Sequence, residues 1–527
     1  FKKGAFIMEL KNPILPGFYP DPSVCRRGED YYLVTSTFEY YPGIPIFHSR
    51  DFVHWRQIGH VLSRPDQLPL DHLNPSRGIY ASSIFYHEGR FYVITTLVGN
   101  APYRENINFY VWADDPAGPW SDPVVVQGAE GIDPSLVFDQ GKVYYLGNLR
   151  PYPDTDSTAR HIWLQELELS TGRLLGERHT LLTGGAMQNA SAPEGPHIYH
   201  IGEYYYLLIA VGGTSHYHSA TIFRSRHLTG PYEANPRNPL ITHRNLRWDY
   251  PIHSTGHADM IELANGEWWA VLLASRPVGG DYRTLGRETF CVPVRWEEGW
   301  PVFSPDTGRV EERYPAPDLP PCPWPEAPCC RQFDSDQLSE EWITLRTPRR
   351  TFYSLTERRG YLRLYPGPES LRETKHCAFL GRRQQHMRYA VRTAMEYRPL
   401  DGEESGIVLL MNHRFHFRFV YGQWEGEKKI RLIRCFDGQE EVLGEKAWEA
   451  DRTYLRVTAR LQDLSFYAAR EEEAWEPVAE HVSGTLLCKE VAGGFTGTII
   501  GLYASAGGQE SSNTADFDWF EYRSLEE

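Results

Sequence analysis

The sequence has no basic tract, no long apolar run and no paired cysteines, and each absence excludes a class of protein. Acidic residues number 69 and basic residues 54, so the chain carries a net charge of −15 and would repel nucleic acid. No stretch reaches the roughly 18 apolar residues of a membrane helix, so we predict no membrane partner. Eight cysteines in 527 residues, without a Cys-x-x-Cys pair, exclude a disulfide scaffold and a structural zinc site.

The N-terminus also lacks a signal peptide. Lys2 and Lys3 are not followed by the 7–15 apolar residues that such a peptide needs. We interpret residues 1–7 as a remnant of an expression sequence ahead of a native start at Met8. The expected location is therefore cytoplasmic.

Aromatic residues and turn formers are abundant, and they recur with a period. Aromatics make up 13% of the chain, beside 45 glycines and 38 prolines, a mix typical of short strands joined by tight turns. A turn glycine followed by an aromatic-rich strand occurs five times, with spacings of 61, 52, 61 and 64 residues. Each repeat holds four strands, which predicts a five-bladed β-propeller; unrelated hairpins in a sandwich are the alternative. The five glycines are Gly28, Gly89, Gly141, Gly202 and Gly266.

The composition changes after residue 310. Seven prolines fall within residues 315–328, which indicates a stiff linker. Beyond it, residues 414–421 and 515–522 alternate between apolar and polar side chains, as longer antiparallel strands do. We therefore predict an all-β protein with a propeller over residues 8–314, a linker over 315–330 and a jelly-roll-like β-sandwich over 331–527. The sandwich either adds stability or forms a wall of the substrate site.

Three carboxyl groups lie near the start of the first strand in three different repeats. Asp21, Asp133 and Glu194 each precede the turn glycine of their repeat by seven or eight residues, and the same count reaches Ala81 and Ala258. First strands line the axis of a propeller, so these carboxyls should meet at one mouth of the channel. Glycoside cleavage needs one protonated and one ionised carboxyl, and a third can raise the pKa of its neighbour. The alternative is that Asp-Pro and Glu-Gly only form turns.

These residues and their neighbours resemble glycoside hydrolase family 43. The resemblance is closest to its two-domain β-xylosidases and α-L-arabinofuranosidases, and it covers nearly the whole chain. It implies an inverting mechanism in which Asp21 is the general base, Glu194 the general acid, and Asp133 the group that modulates the pKa of the acid. The motifs that carry it are Tyr19-Pro20-Asp21-Pro22-Ser23, Gly131-Ile132-Asp133-Pro134-Ser135, Glu194-Gly195-Pro196-His197 and Leu285-Gly286-Arg287-Glu288-Thr289.

The resemblance also implies five further site residues. Arg287 would contact the sugar and hold the aspartates ionised, although it could equally be a surface arginine, and Phe38 would form an aromatic wall. Tyr80 stands where relatives commonly carry Trp, and Ile499 stands where a sandwich loop often delivers Phe. His257 would face a water-held ion in the channel, with calcium the expected ion, or be a buried histidine without one.

The predicted function is exo-acting release of a terminal xylose or arabinofuranose from plant-cell-wall oligosaccharides, with no required cofactor. An endo-arabinanase or a sugar phosphorylase on the same propeller is the first alternative. A phosphorylase would need a basic site that binds phosphate, and Arg287 is a single basic residue. A non-catalytic glycan-binding propeller is the second. The sequence leaves open which pentose is preferred and whether copies of the chain assemble into a homo-oligomer.

Overall fold

Five antiparallel sheets stand in a ring in the first part of the chain. The computed structural model describes residues 8–100, 106–153, 155, 157–188 and 190–526, so the remnant predicted at residues 1–7 lies outside the described residues. The first strand of each sheet contacts the first strands of the two neighbouring sheets, including the first with the fifth, which closes the ring. The predicted five-bladed propeller is confirmed.

Each blade comes from one continuous segment of chain, as the glycine repeat predicts. Short extra strands, Gly78–Ile79 and Ile241–Thr242, extend the second and fourth sheets. The blades consist of Ser23–Arg27, Asp30–Val34, Gly43–Ser49 and Arg56–Leu62; Ser83–His87, Arg90–Val98, Ile107–Ala113 and Val124–Val125; Ser135–Asp139, Lys142–Leu149, His161–Glu168 and Arg173–Leu182; Glu194–Ile201, Tyr204–Val211, Ser219–Ser225 and Glu233–Ala234; His253–Glu262, Trp268–Ser275, Glu288–Glu297 and Trp300–Phe303.

Hydrogen bonds between neighbouring first strands hold the blades together around the channel. Asp259 of the fifth blade accepts from the Ser23 hydroxyl (2.7 Å) and from the Tyr199 hydroxyl (2.6 Å), and so joins the first and fourth blades. The Ser135 hydroxyl donates to the carbonyl of Pro196 (2.7 Å) and joins the third blade to the fourth. This polar layer lies two residues beyond Asp21 and Asp133, so it fixes the backbone from which the carboxyls project.

The N-terminal segment adds a second connection at the closure of the ring, between the first blade and the fifth. Glu9–Lys11 pairs with Arg313–Pro315 in a separate two-stranded sheet. The Asn12 side-chain amide donates to the carbonyls of Cys291 (2.8 Å) and Glu311 (3.0 Å), and its oxygen accepts from the Cys291 N–H (2.9 Å). The segment that leads to Asp21 is thereby fastened to the fifth blade.

The second part of the chain is a two-sheet β-sandwich, as predicted. One helix, Lys489–Ala492, occurs among the described residues, and no helix there is long and apolar enough to cross a membrane. All eight cysteines are free. One sheet contains Cys330–Gln332, Tyr353–Ser354, Leu362–Leu364, Ala515–Ser524, Arg388–Glu396, Arg452–Arg460, Asp463–Ala469 and Glu476–Ser483, and the other contains Ala378–Arg383, Ile499–Ser505, Glu404–Asn412, Phe415–Trp424, Glu427–Phe436 and Gln439–Ala447.

Two neighbouring strands of the six-stranded sheet, Ile499–Ser505 and Glu404–Asn412, are buried on both faces. Ile407 and Leu409 point into the sandwich core, whereas Val408 and Leu410 pack in a cluster with Phe38 of the propeller. Alternation of side chains along a strand produces this division. Thr344–Leu345 also pairs with Tyr40–Tyr41, so backbone hydrogen bonds join the two domains beside the propeller mouth.

Candidate active site

A cavity at the mouth of the propeller collects side chains from all five blades and from the sandwich. Its empty volume is about 380 Å³. Asp21, Asp133 and Glu194 all line it, so the structure brings the three predicted carboxyls together. The other lining residues are Phe38, Tyr80, Ala81, Ile132, Thr214, His257, Arg287 and Phe495.

Four of the five first strands begin at this cavity in a shared left-handed backbone conformation, which corrects the register that we counted from the sequence. Gly195, not Glu194, holds the left-handed position in the fourth blade, and His257 holds it in the fifth in place of Ala258. The count fails because the turn glycine has no fixed place in its turn: it is the first turn residue in the first and fourth blades, the second in the second and third blades, and the fourth in the fifth blade. The equivalent φ angles are 55° at Asp21, 52° at Asp133, 56° at Gly195 and 51° at His257.

Asp21 is held as an ionised carboxylate. Burial raises its pKa, but the Arg287 guanidinium, with His257 and the Ser36 hydroxyl, outweighs burial and leaves the pKa below the ordinary 3.8. Arg287 Nη1 donates to Asp21 Oδ1 at 2.6 Å, and the Ser36 hydroxyl donates to Oδ2. Arg287 is itself only 5% exposed, so it is a buried partner of the carboxylate and not a surface arginine.

The pKa values of Asp133 and Glu194 are shifted in the opposite direction, upward. Burial raises the pKa of Glu194 to about 7, and the negative charge of Asp21 adds to the effect. Burial, with the charges of Glu194 and Asp21, raises the pKa of Asp133 well above 3.8. A carboxyl oxygen of Asp133 lies within 4.8 Å of one on Glu194, so the two share one environment. The cavity therefore holds one ionised carboxylate beside carboxyls that retain a proton near neutral pH.

Three aromatic rings form a wall beside the carboxyls. Phe38 and Tyr80 have ring centres 5.0 Å apart, and Phe495 of the sandwich lies 6.0 Å from Phe38 and 6.2 Å from Tyr80. Arg287 Cζ lies 5.5 Å above Phe38 and 5.8 Å above Phe495. The site thus combines an apolar face with a polar rim, as a sugar pocket does.

The prediction that Ile499 contacts the substrate is wrong, because a different residue of the same loop lines the cavity. Ile499 is fully buried beneath Phe38 in the cluster between the domains, because it lies on the propeller-facing side of its strand. Phe495, which is 37% exposed, is the sandwich residue that reaches the cavity. The sequence offered one signal for it: an aromatic residue directly after the adjacent glycines 493 and 494 in the loop that we had singled out.

His257 lies beside the carboxyls, but its surroundings do not fit a directly bound calcium ion. One of its ring nitrogens lies within 4.8 Å of oxygens on Asp133 and Glu194, and Nδ1 lies 3.9 Å from Asp21 Oδ1. Burial lowers the pKa of His257 to about 4, so the ring is neutral near pH 7. Calcium prefers six to eight oxygen ligands, and binding these two carboxyls directly would favour their ionised forms. An ion held through water remains a prediction.

Two cationic residues near the cavity were not found from the sequence. The positive charge of Arg160, on the third blade, holds the pKa of Glu194 lower than burial alone would leave it. Lys489 of the sandwich helix donates to the carbonyl oxygen (2.7 Å) and the hydroxyl (3.2 Å) of Thr214, which lines the cavity. Neither carries a local motif, since each acts on a residue far away in the chain.

Comparisons with known proteins cover both domains of the chain. Residues 10–301 match glycosyl hydrolases family 43, and residues 330–523 match a beta xylosidase C-terminal concanavalin A-like domain. The chain is 41% identical to a non-reducing end alpha-L-arabinofuranosidase of Bacteroides ovatus over 98% of this chain and 95% of that protein. It is 40% identical to a xylosidase/arabinosidase of Butyrivibrio fibrisolvens, over 97% of this chain and 98% of that protein.

A solved structure shows the same fold over the full length. It is that of a xylan beta-1,4-xylosidase from Bacillus halodurans, which superposes with a TM-score of 0.91 at 34% identity, covering 98% of this chain and all of that one. The matches span both domains and include the segments that carry Asp21, Asp133 and Glu194. The chain belongs to glycosyl hydrolases family 43 and is a glycosidase.

Proposed function

We propose that the enzyme releases a terminal pentose, xylose or arabinofuranose, from the non-reducing end of an oligosaccharide with inversion of configuration. The observation that carries the proposal is the opposite pKa shifts of Asp21 and Glu194 within one cavity. An inverting glycosidase needs one carboxylate that activates water and one carboxylic acid that protonates the leaving oxygen. Carboxyls on different blades, one paired with Arg287 and the other buried, suit these two roles.

Asp21 is the general base in this proposal. Arg287 and Ser36 hold it ionised and occupy one oxygen each, so its carboxylate has a fixed orientation towards a water molecule on one face of the sugar. Asp21 takes a proton from that water molecule as the water oxygen bonds to the anomeric carbon. Its pKa, below 3.8, keeps it ready across the neutral range.

Glu194 is the general acid, and Asp133 tunes it. A pKa of about 7 means that Glu194 holds its proton over most of the acidic to neutral range and gives it to the glycosidic oxygen as the bond breaks. Asp133 sits within 4.8 Å of it and shares the cavity, so its charge state sets how firmly that proton is held.

The shape of the cavity favours a chain end as substrate. Phe495, on the sandwich, joins Phe38 and Tyr80 on one side of the cavity, where the three rings would obstruct a polysaccharide bound in mid-chain. The aromatic faces suit the apolar face of a small sugar ring. The activities in the names of the Bacteroides and Butyrivibrio relatives support a pentose.

Hydrolysis of nitrophenyl β-xyloside and α-arabinofuranoside tests the substrate, and NMR of the first-formed anomer tests the stereochemistry. We expect turnover of at least one pentoside with an inverted product. A retained anomer would contradict the mechanism, and a preference for hexosides would contradict the substrate. Internal cleavage of arabinan would identify an endo-arabinanase, and a sugar phosphate formed in phosphate buffer would identify a phosphorylase.

Substitution separates the roles of the acid and the base. Glu194→Ala should lose several orders of magnitude on a xylo-oligosaccharide but much less on a dinitrophenyl pentoside, whose leaving group departs without protonation. Asp21→Ala should lose activity on both substrates. Asp139→Asn is the matched control, because Asp139 ends the same strand that Asp133 precedes and bonds only outer residues such as Tyr205. Equal losses on both substrates for Glu194→Ala would refute its role as acid.

A further inference from the structure

Ser76 is the point at which the aromatic wall of the cavity is assembled. The Tyr80 hydroxyl donates to the Ser76 carbonyl oxygen at 3.0 Å, and the Phe495 N–H donates to the Ser76 hydroxyl at 2.8 Å. Tyr80 comes from the second blade, whereas Phe495 comes from the sandwich and follows Ser76 by 419 residues in the chain. One serine thus holds two of the three aromatic residues, Tyr80 through its ring hydroxyl and Phe495 through its backbone N–H.

Glu39 in turn holds Ser76. The Ser76 N–H donates to Glu39 Oε2 at 2.9 Å, and Glu39 directly follows Phe38, the third ring. Ser76 has a φ of 61°, a conformation that a serine adopts rarely, so its N–H is aimed by an unusual backbone geometry. Both residues are buried, at 6% and 1% exposure. Burial raises the pKa of Glu39 to about 7, and a buried carboxyl group that accepts a backbone N–H is a costly arrangement, which the mechanism above does not use.

The sandwich loop that carries Phe495 also packs closely against Ser76. A Cβ at Gly494 would lie 2.5 Å from the Ser76 hydroxyl oxygen, and Gly494 has a φ of 83°. The loop can therefore reach Ser76 only with glycine before Phe495. The position of Phe38 is secured differently, because its backbone exchanges hydrogen bonds with Ile79 at 2.8 and 3.1 Å. Loss of the Ser76 contacts should therefore displace Phe495 and Tyr80 and spare Phe38.

We propose that Glu39 and Ser76 are positioning residues that set the aromatic wall of the sugar site from two blades and the sandwich. The proposal rests on the proposed function for its kinetic consequence. The rings contact the sugar equally in the ground state and the transition state, so their displacement should weaken binding and leave the chemical step unchanged.

Four variants test the proposal. Ser76→Ala removes the acceptor of the Phe495 N–H, and Glu39→Leu removes the acceptor of the Ser76 N–H. Glu39→Gln keeps an acceptor oxygen without the charge. Neutralising Glu39 leaves Arg346, its basic neighbour, with its own hydrogen bonds to the Leu73 carbonyl. Ser49→Ala is the matched control, since Ser49 is a buried serine whose hydroxyl also accepts a backbone N–H, that of Phe52, away from the site.

Steady-state kinetics on the best nitrophenyl pentoside give the first readout. Ser76→Ala and Glu39→Leu should raise KM about tenfold, the effect of one lost hydrogen bond, with kcat within about threefold of wild type. Glu39→Gln and Ser49→Ala should keep the KM of the wild type. A Ser76→Ala enzyme with an unchanged KM, or a Glu39→Gln enzyme as impaired as Glu39→Leu, overturns the proposal. If Glu39→Leu does not fold, Ser76→Ala decides.

A crystal structure of Ser76→Ala gives the second readout, which needs no substrate. The Phe495 ring should leave its place 6.0 Å from Phe38, whereas Phe38 should keep its own. A ring that stays in place refutes the positioning role whatever the enzyme hydrolyses. If the wild type hydrolyses no pentoside, the proposed function fails, and this structure still decides the proposal.

Discussion

Individual charges around Glu194 set the pH range of the reaction. The acid must be protonated and the base ionised, so kcat/KM should be level from below pH 4 up to about 7 and should fall above it, as Glu194 loses its proton. Arg160 lowers the pKa of Glu194. Arg160→Met should therefore move the alkaline limb to higher pH, as a pH–rate profile would measure.

The control for that profile is Arg178→Met. Arg178 lies on the same blade and stacks on Trp163, but it pairs with Glu130 and not with the site. Its alkaline limb should match that of the wild type. An unmoved limb in Arg160→Met would show that the charge of Arg160 does not reach the acid.

Asp133 should cost the folded protein stability at neutral pH. Its pKa is raised on folding, so the folded state binds a proton that the unfolded state releases above pH 3.8. The contribution of Asp133 to the free energy of unfolding is fully present below pH 3.8. It is lost as the pH rises towards the pKa that Asp133 has in the folded state. Asp133→Asn should thus be inactive yet more stable, with an advantage that grows by up to about 1.4 kcal/mol per pH unit. Urea unfolding at pH 5 and pH 7.5 measures this, and a constant difference would contradict it.

At the scale of strands, the backbone at the start of the strand Glu194–Ile201 in the fourth blade depends on Gly195. A Cβ there would lie 2.8 Å from the His257 ring, and the residue has a φ of 56°. Gly195→Ala should push His257 or tilt the strand that carries Glu194, and so should lower kcat by at least about tenfold, since small displacements of a catalytic group are costly. Gly202→Ala is the control, with a φ of 60° in the same blade and no atom within 4 Å of its Cβ. Equal activities in the two variants would assign the effect to backbone strain alone.

Local patterns in the sequence predict the elements but not their exact alignment. A glycine turn beside aromatic strands is a short-range signal, so all five blades and the convergence of Asp21, Asp133 and Glu194 follow from it. The one-residue offset of Glu194 arises because Gly202 is the first residue of its turn and Gly141 the second, and the repeat of glycines does not show where each strand ends. Phe495 and Ser76 meet across 419 residues, a contact that no local pattern encodes.

At the scale of the whole molecule, the sandwich is fastened to the propeller next to the site, so its stability and its function are linked. Glu490, in the helix Lys489–Ala492, accepts from the backbone N–H (2.8 Å) and Nη1 (2.6 Å) of Arg283, a residue of the fifth blade that is 6% exposed. Arg283 keeps a second carboxylate partner, Asp281, at 3.4 Å, so its charge retains part of its compensation. Glu490→Ala should therefore lower the free energy of unfolding by about 2 kcal/mol, the effect of losing hydrogen bonds to a charged group.

The same helix lies three residues before Phe495 in the chain, so Glu490→Ala should also raise KM, because the loop that carries this ring loses its anchor. Glu476→Ala removes a carboxylate from the half-exposed pairs with Lys446 and Arg470, on a strand of the sandwich, and is the control. It should cost less than about 1 kcal/mol and leave KM unchanged. Calorimetry and kinetics on both variants measure the difference. A Glu490→Ala enzyme that loses stability but keeps the KM of the wild type would show that this interface supports the fold without shaping the site.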